Sequence, residues 1–411
     1  MIDLKQKINV VINKNLTHKI EENIAKMGLD YAQILFVSDE NIWQNNKQFF
    51  RDDFAKKFVN FLILKNPQAN ENFVNKIIQN AKNCNLIIAF GSGTINDLCK
   101  YSAKKLNINY IILVSALSMN GYVSKNASIA INNHKKTLEA KLPIAVWCDL
   151  KILKNAPEAL SKAGLADVLC FYSCNFDLAL NHFVFLQSIN FQALKIQQKI
   201  IKNFAKNYKN FNLKDDKFLR ILLKMILTSG WAMTIADSSA PASQSEHLLA
   251  HVLTMKYPEK THDILHGRLI ASSTILSLNN QEKIIEYCHE KLFIKFLENF
   301  FEDLRENDFF NEINQYFGTD LALECSKEYK IKKDYLLKNS EKIIKNFKKN
   351  KTKITKILQK NYCEKDFLIK IFNHFKIDFD FNNIGFEDNE INDAQHFAKY
   401  IRNRLTISDF S

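Results

Sequence analysis

The sequence predicts an α/β domain with a parallel sheet, followed by an all-α domain. Short apolar runs alternate with helical patterns over the first 150 residues, and strand-like runs almost vanish after Ala156-Pro157. A chain of 411 residues is too long for one ordinary hydrophobic core. We therefore divide it into residues 1–157, the α/β domain, and residues 158–411, the helical domain.

In the first domain, short apolar runs indicate strands and amphipathic stretches indicate helices. The predicted strands are 33–37, 86–90, 110–114 and 144–147, and the predicted helices are 16–27, 52–64, 72–82 and 95–106. Short buried strands between helices are typical of a parallel sheet that is covered on both faces.

The second domain contains long helical patterns up to the end of the chain. Residues 300–390 are rich in Lys, Asn, Phe and acidic residues, and we predict that they are helical. The densest basic segment, residues 338–360, is typical of an exposed helix face with interspersed lysines.

Composition limits the classes of function. The formal net charge is +13, but the basic excess is spread along the chain, so we expect no nucleic-acid partner; a positive field would attract an anionic substrate. The eight cysteines are scattered and form no CxxC pair, which is typical of reduced core thiols. Without a long apolar run or a signal-peptide pattern, we expect a cytoplasmic protein and no membrane partner.

The first candidate site is the turn after the strand 86–90. Gly91 and Gly93 would let a phosphate approach the backbone at the start of a helix, as in Rossmann-like nucleotide-binding domains. Thr94 is a candidate N-cap with Asp97 at N3, so a tight turn with a capping box explains the same residues. Asp39, after the preceding predicted strand, is placed to accept from a ribose hydroxyl or to cap the next helix.

Two further segments carry polar residues that suit chemistry. The loop 115–124 directly follows the strand 110–114, so its Ser and Asn side chains are placed to bind nicotinamide or substrate, although ordinary loops use the same residues. His247 and His251 are one helical turn apart, and His266 opens another helical stretch. Together with Asp167, which lies in an apolar helical segment, such residues suit a divalent ion like Zn²⁺.

These segments together resemble sn-glycerol-1-phosphate dehydrogenase, within the superfamily of glycerol dehydrogenase, iron-containing alcohol dehydrogenase and dehydroquinate synthase. The resemblance lies in GSGTINDLCK (91–100), SALSMNGYVS (115–124), KLPIAVWCDLKILKNAPEALSKAGLADVLC (141–170), SSAPASQSEHLLAH (238–251), HGRLIAS (266–272) and RNRLTISDF (402–410). It implies a dehydroquinate synthase-like fold and a cytoplasmic oxidoreductase that uses NAD or NADP and one divalent metal, Zn²⁺ first, with Ni²⁺ or Fe²⁺ as alternatives.

The resemblance also implies roles for individual residues. It implies Gly93, Thr94, Asp97, Ser115, Ser118 and Ser124 for the dinucleotide, to which Asp39 and Gly91 are added from their places after the predicted strands. For the metal it implies Asp167, His247 and His266. His251 and Asn120 are implied for substrate contact and catalysis. The implied reaction interconverts dihydroxyacetone phosphate and sn-glycerol 1-phosphate, so a small anionic phosphorylated substrate is the expected partner. A homo-oligomer is compatible with the sequence.

Asn120 departs from the family pattern, which has Asp at this position. An amide keeps the size of the side chain but does not act as a base near neutral pH. This departure leaves open a polyol dehydrogenase with a different substrate, or a family member that has lost turnover and serves as a binding partner. Apart from Asn120, the shared fold also leaves open a dehydroquinate synthase-like cyclase or lyase acting on a sugar phosphate.

Overall fold

The computed structural model describes residues 8–29, 33–58, 60–131, 134–289, 292–306 and 308–410. The strands are β1 (Asn9–Asn13), β2 (Ile34–Asp39), β3 (Asn60–Leu64), β4 (Leu86–Gly91), β5 (Asn109–Val114), β6 (Asn126–Ile131), β7 (His134–Glu139) and β8 (Ala145–Asp149). Among the strands are α1 (Ile20–Lys26), α2 (Glu40–Asn46), α3 (Glu71–Asn80) and α4 (Gly93–Leu106), and α5 (Leu150–Asn155) follows β8.

The later part of the chain is helical wherever it has regular structure. The helices are α6 (Glu158–Leu169), α7 (Phe171–Phe183), α8 (Phe191–Asn207), α9 (Asp216–Ala236), α10 (Ser245–Lys256), α11 (Pro258–Thr261), α12 (His266–His289), α13 (Phe293–Glu306), α14 (Phe309–Phe317), α15 (Thr319–Asn361), α16 (Lys365–His374) and α17 (Asp388–Phe397). No described residue after 157 lies in a strand, so the predicted all-α character of this part is confirmed.

Six strands form one sheet in the order β1-β8-β5-β4-β2-β3, and every neighbouring pair is parallel. Strands β4 and β8 are buried along their whole length, as expected for a sheet covered on both faces. The predicted parallel sheet is therefore confirmed. A separate antiparallel pair, β6 and β7, was not predicted, because its strands carry polar residues and lack a continuous apolar run.

The predicted helix over residues 52–64 is wrong. A short 3₁₀ helix covers Phe54–Lys57, and β3 then pairs in parallel with β2; residue 59 lies outside the described range. Phe54, Phe58 and Phe61 have helical spacing in the sequence, yet all three pack around Phe36 of β2, with ring centroids 4.8–5.6 Å away. Backbone pairing at the sheet edge thus overrides the periodicity of the side chains. The edge strand β1 was also not predicted; its central residues are only half-buried.

Backbone proximity divides the described chain into two compact units. The first contains residues up to 168 together with 197–235, and the second contains 169–196 together with 236–410. This division does not coincide with the predicted boundary at 157/158. Helices α6 and α9 fold with the sheet because they hold the loop that follows β5.

Two glycines allow these helices to approach that loop. A Cβ atom at Gly164 of α6 would lie 1.9 Å from the carbonyl oxygen of Leu117, and one at Gly230 of α9 would lie 3.0 Å from the carbonyl oxygen of Asn120. The hydroxyl of Thr234 in α9 also donates to the carbonyl of Val123 at 3.0 Å. The loop 115–124 is therefore clamped by backbone contacts that only glycine permits.

In the second unit, α15 packs its buried side chains into the main helical core. Its buried Lys332 donates to Asp409 at 2.5 Å and to the carbonyl oxygens of Lys399 and Arg404. This buried ion pair and its two additional hydrogen bonds fix the segment 399–409 against α15.

Two helical stretches are long and apolar enough to cross a bilayer by length and composition alone, Glu158–Phe183 and Asp216–Ala236. In the most apolar window of each, 94% and 61% of the residues are buried inside the protein. Such burial is typical of the core helices of a globular domain, which have a similar length and composition.

We predict that Gly164→Ala destabilises the protein. The new methyl group would overlap the backbone of Leu117, and backbone atoms cannot move aside by changing a side-chain rotamer. The expected loss is about 1–3 kcal/mol of unfolding free energy, the usual range for overpacking, measured by urea denaturation. Gly93→Ala is the matched control, since its Cβ would lie no closer than 3.6 Å to Met119. Equal stability of the two variants would contradict the clamp.

Candidate functional site

The nucleotide-binding candidates lie where the connections of the sheet reverse direction. The chain leaves β2 for β3 on one side and leaves β4 for β5 on the other, so β2 and β4 flank the switch point. Ligands of open α/β sheets bind beyond the carboxyl ends of the strands at such a point. Asp39 ends β2 and Gly91 ends β4, and the Ser38 hydroxyl joins the two strands by donating to the Phe90 carbonyl at 2.9 Å.

Gly91 and Gly93 have different reasons to be glycine. A Cβ at Gly91 would lie 2.4 Å from Cβ of Ile95, so the packing of β4 against α4 requires glycine there. A Cβ at Gly93 would make only ordinary contacts, of 3.6 Å or more, with Met119. Packing inside the described protein therefore does not require glycine at position 93, whereas close approach of a ligand to the backbone would.

The predicted capping role of Thr94 is wrong. Helix α4 begins at Gly93 with Ser92 as its N-cap residue, and the Ser92 side chain makes no capping hydrogen bond within the described chain. Thr94 thus lies inside the first turn, which presents backbone N–H groups and the positive end of the helix dipole.

Asp97 supports this turn from behind. Its carboxylate accepts from the backbone N–H of Ser128 at 2.8 Å and pairs with Lys100 at 3.0 Å. Lys100 is 1% exposed and also donates to the Gly121 carbonyl at 3.1 Å and the Ser124 hydroxyl at 3.4 Å. Lys100 was not among the predicted site residues, although its position one turn after Asp97 on the same helix was an available signal.

The other candidates of the first unit have local partners. Asp39 caps α2 by accepting from the N–H of Ile42 at 3.1 Å, one of the two roles expected for it. The Ser115 N–H donates to the Gly91 carbonyl at 3.0 Å, which brings the loop after β5 to the glycine turn. Ser118 is half-buried and hydrogen-bonds to Tyr122, while the Ser124 hydroxyl donates to the carbonyls of Gly121 and Asn126, each at 3.1 Å.

Asn120 and Asp167 meet within the first unit. The backbone N–H of Asn120 donates to Oδ2 of Asp167 at 2.9 Å. Asp167 lies on α6, less than one turn after Gly164, and it is only 1% exposed. The glycine clamp on the loop therefore also places the hydrogen bond that orients this carboxylate.

The second unit brings three histidines together. His247 and His251 lie one turn apart on α10, and His266 is the first residue of α12, as predicted. The ring centroids are 5.3 Å apart for His247 and His266, 6.0 Å for His251 and His266, and 6.2 Å for His247 and His251. His247 is buried, His251 is half-buried and His266 is exposed, so the cluster extends from the core to the surface of this unit.

A buried carboxylate behind His247 was missed by sequence analysis. Oε1 of Glu246 lies 2.8 Å from Nδ1 of His247 and also accepts from the N–H of Gln244 at 2.8 Å and from the Cys174 thiol at 3.2 Å. Burial opposes ionisation, but the hydrogen bond and charge of His247 lower the pKa of Glu246 below its ordinary value. An ionised carboxylate only accepts hydrogen bonds, so Nδ1 of His247 carries a proton, and in the neutral imidazole the lone pair is on Nε2.

A polar network holds the start of α10 in place. Asp177 accepts from the Ser245 N–H at 3.2 Å and from the Gln281 side chain at 3.0 Å. Burial and the nearby charge of Glu246 raise the pKa of Asp177 to about 7. All eight cysteines are free and buried, as expected, and the sulfur atoms of Cys170 and Cys174 are 4.0 Å apart.

Arg404 has its hydrogen-bond partners within the second unit. Its guanidinium donates to the hydroxyls of Ser239 and Ser243, at 2.8 and 3.3 Å, and to the carbonyl of Ser243. It therefore anchors the segment before α10 to the C-terminal stretch.

Comparison with known proteins agrees with this architecture. A sequence model of the iron-containing alcohol dehydrogenases matches residues 11–157, the α/β part of the chain. A glycerol-1-phosphate dehydrogenase of Sulfurisphaera tokodaii is 30% identical over 278 residues, 67% of this chain and 77% of the relative. One from Bacillus subtilis is 28% identical over 214 residues, and the match spans only about half of that relative, 54%, and 52% of this chain.

The chain belongs to the glycerol-1-phosphate dehydrogenases. Solved structures support the fold. A probable glycerol dehydrogenase from Sinorhizobium meliloti superposes with a TM-score of 0.61 at 12% identity, covering 97% of this chain and 91% of that protein.

We predict that Glu246→Gln weakens divalent-metal binding about 10- to 100-fold, the usual effect of removing the partner of a ligating histidine. The amide presents a donor where the carboxylate accepted three hydrogen bonds. Competition with a chromophoric chelator measures the affinity for Zn²⁺. Glu259→Gln, on the exposed surface of the same unit, is the control and should bind as the wild type does; unchanged affinity in Glu246→Gln would refute the positioning role.

We predict that Gly93→Ala keeps the fold but weakens binding of NAD(H) or NADP(H) at least tenfold, because the added methyl group occupies the path of a ligand that approaches the backbone. Intrinsic fluorescence titration measures binding, and urea denaturation checks the stability. A variant with wild-type nucleotide affinity would show that no phosphate approaches this turn.

Proposed function

We propose that the chain is an NAD(P)-linked, metal-dependent dehydrogenase that interconverts dihydroxyacetone phosphate and sn-glycerol 1-phosphate. The observation that carries the proposal is the cluster of three histidines with the Glu246 carboxylate behind His247. The related proteins support the substrate, because those matched are called glycerol-1-phosphate dehydrogenases with NAD(P)+ in the name.

In this proposal Asp167, His247 and His266 hold the metal. One carboxylate and two imidazoles suit Zn²⁺ first, and Ni²⁺ or Fe²⁺ are compatible with the same donors. The donor chemistry fits such an ion. The Asn120 N–H orients the Asp167 carboxylate, and Glu246 sets the His247 tautomer that places the lone pair on Nε2. When bound, the ion supplies Lewis acidity and the nicotinamide supplies the two-electron chemistry.

The dinucleotide would lie at the switch point of the sheet. Gly91, Gly93 and Thr94 would present backbone N–H groups to the pyrophosphate at the start of α4. Asp39, which uses one carboxylate oxygen as a cap, would accept from a ribose hydroxyl with the other. Ser115, Ser118 and Ser124 would lie near the nicotinamide end, and Asp97 would act indirectly, by holding the turn through Ser128 and Lys100.

The proton route is proposed to pass through His251. Its imidazole is half-buried and adjoins the other two histidines, so a proton can be exchanged with water. The Asn120 side chain would contact the substrate by hydrogen bonds and would not act as a base. The buried thiols are typical of a reducing compartment, so we assign the enzyme to the cytoplasm.

The decisive experiment is a spectrophotometric assay of dihydroxyacetone phosphate reduction with NADH and with NADPH. We predict that a chelator lowers the activity at least 100-fold and that Zn²⁺, Ni²⁺ or Fe²⁺ restores it, because the proposed reaction needs Lewis acidity. Full activity in the chelated enzyme would remove the metal from the mechanism. Consumption of a sugar phosphate without net NAD(P)H turnover would instead identify a cyclase or lyase of the dehydroquinate synthase type.

Asn120 favours a second candidate, a polyol dehydrogenase with a different substrate. The same assay with glycerol and other small polyols separates the two candidates by their kcat/KM values. Asn120→Asp is an informative companion variant, since it introduces the carboxylate that the family has at this position. A gain in dihydroxyacetone phosphate reduction in this variant would favour the second candidate for the wild type.

A further inference from the structure

Helix α15 has two sharply different faces. Its buried side chains in the C-terminal half follow one another in steps of three, four or seven residues, at Leu336, Ser340, Ile343, Phe347, Ile354 and Leu358. Such spacing places them on one side of a helix, where they pack into the core of the second unit. The opposite side faces solvent, and its residues are available to a partner.

Seven exposed lysines form a single row on that solvent side. They are Lys338, Lys342, Lys345, Lys349, Lys353, Lys356 and Lys360. Their steps of three or four residues keep them within an arc of about 80° over a length of about 33 Å, at 100° and 1.5 Å per residue. The lysine row is therefore one continuous basic surface.

No acidic residue balances the lysine row. Glu341 is the only acidic residue between positions 338 and 360, and it lies about 40° beyond the edge of the row. In the described chain no lysine of the row forms an ion pair, whereas Lys348, which points elsewhere, pairs with Glu298 at 3.0 Å. Like charges one turn apart oppose helix formation, so the row contributes nothing to the stability of α15.

We propose that the lysine row docks the protein on a membrane surface that contains anionic lipids. Each lysine near such a surface contributes about fivefold to binding. The arc is narrow enough for all seven ammonium groups to reach one plane. A long helix curves with a radius of about 60–100 Å, so its ends recede from that plane by only about 2 Å, well within the reach of a lysine side chain.

A flat partner fits the lysine row better than a nucleic-acid duplex does. The phosphates of a duplex wind around its axis, so a straight row of lysines that lies along the duplex meets them only where the two strands cross the row. The apolar face of α15 is buried in the core, so binding would be adsorption by charge without insertion of apolar side chains. The sequence led us to expect no membrane partner; the register of the lysines on the folded helix is what changes that expectation. This docking is independent of the proposed reaction.

The test is sedimentation of the purified full chain with vesicles of phosphatidylcholine alone or mixed with phosphatidylglycerol. We expect binding to the anionic vesicles only, weakening steeply as salt is added. The variant K338Q/K342Q/K345Q/K349Q should bind about 500- to 1,000-fold more weakly. Its circular dichroism and dehydrogenase activity should be unchanged, because these side chains contact neither the core nor the histidine cluster.

Helix α8 offers a matched control. Lys195, Lys199, Lys202 and Lys206 are exposed and have the same spacing of four, three and four residues. The variant K195Q/K199Q/K202Q/K206Q has the same net charge as the α15 variant and should retain most of the binding. Equal loss in both variants would show that net charge alone drives adsorption and would overturn the proposal.

A parallel titration with double-stranded DNA tests the remaining alternative, that the lysine row binds nucleic acid. Binding of DNA that depends on the lysine row, without binding to anionic vesicles, would assign the surface to nucleic acid and overturn the membrane proposal. Absence of binding to both would also overturn it. Activity of the same samples on dihydroxyacetone phosphate reports separately on the proposed reaction.

Discussion

The first unit depends on one close approach between backbones. Helix α6 reaches the Leu117 carbonyl at a point where even a methyl group would lie within 1.9 Å of the oxygen. Because the loop 115–124 is held there, the Asn120 N–H meets the Asp167 carboxylate, and the Ser115 N–H meets Gly91 at the glycine turn. The switch-point turn and the proposed metal ligand of this unit are thus parts of a single packed assembly.

In the second unit, a buried charged group orients the proposed metal-binding histidine. Glu246 is fully buried, which is costly for a carboxylate unless hydrogen bonds compensate it. Three donors converge on its Oε1 atom, and one of them is the imidazole of His247. The ionised carboxylate at the start of α10 is also favoured by the helix dipole. The carboxylate therefore determines both the orientation of His247 and which of its nitrogen atoms carries the lone pair.

Charge on this protein is organised at two scales. In the interior of the second unit, acidic and basic groups are buried and paired, as in Glu246 with His247 and Lys332 with Asp409. Along the C-terminal half of α15, seven lysines are exposed in a single row, and none of them forms an ion pair in the described chain. The overall excess of positive charge hides this difference, because composition counts charges without regard to the face of the helix on which they lie. Only the folded helix shows that the basic residues form a surface.

Buried strands, helical periodicity and a glycine turn are local patterns, so the parallel sheet, the helical second part and the candidate residues could be predicted from the sequence. The spacing of His247 and His251 and the helix start at His266 could be predicted in the same way. Features that depend on long-range contacts could not be. Pairing with β2 made residues 60–64 a strand despite their helical spacing, and the clamp on the loop after β5 drew α6 and α9 into the first unit. Glu246 and Lys100 lie close to His247 and Asp97 in the sequence, but their burial and their hydrogen bonds to distant partners, such as Cys174 and Gly121, appear only in the fold.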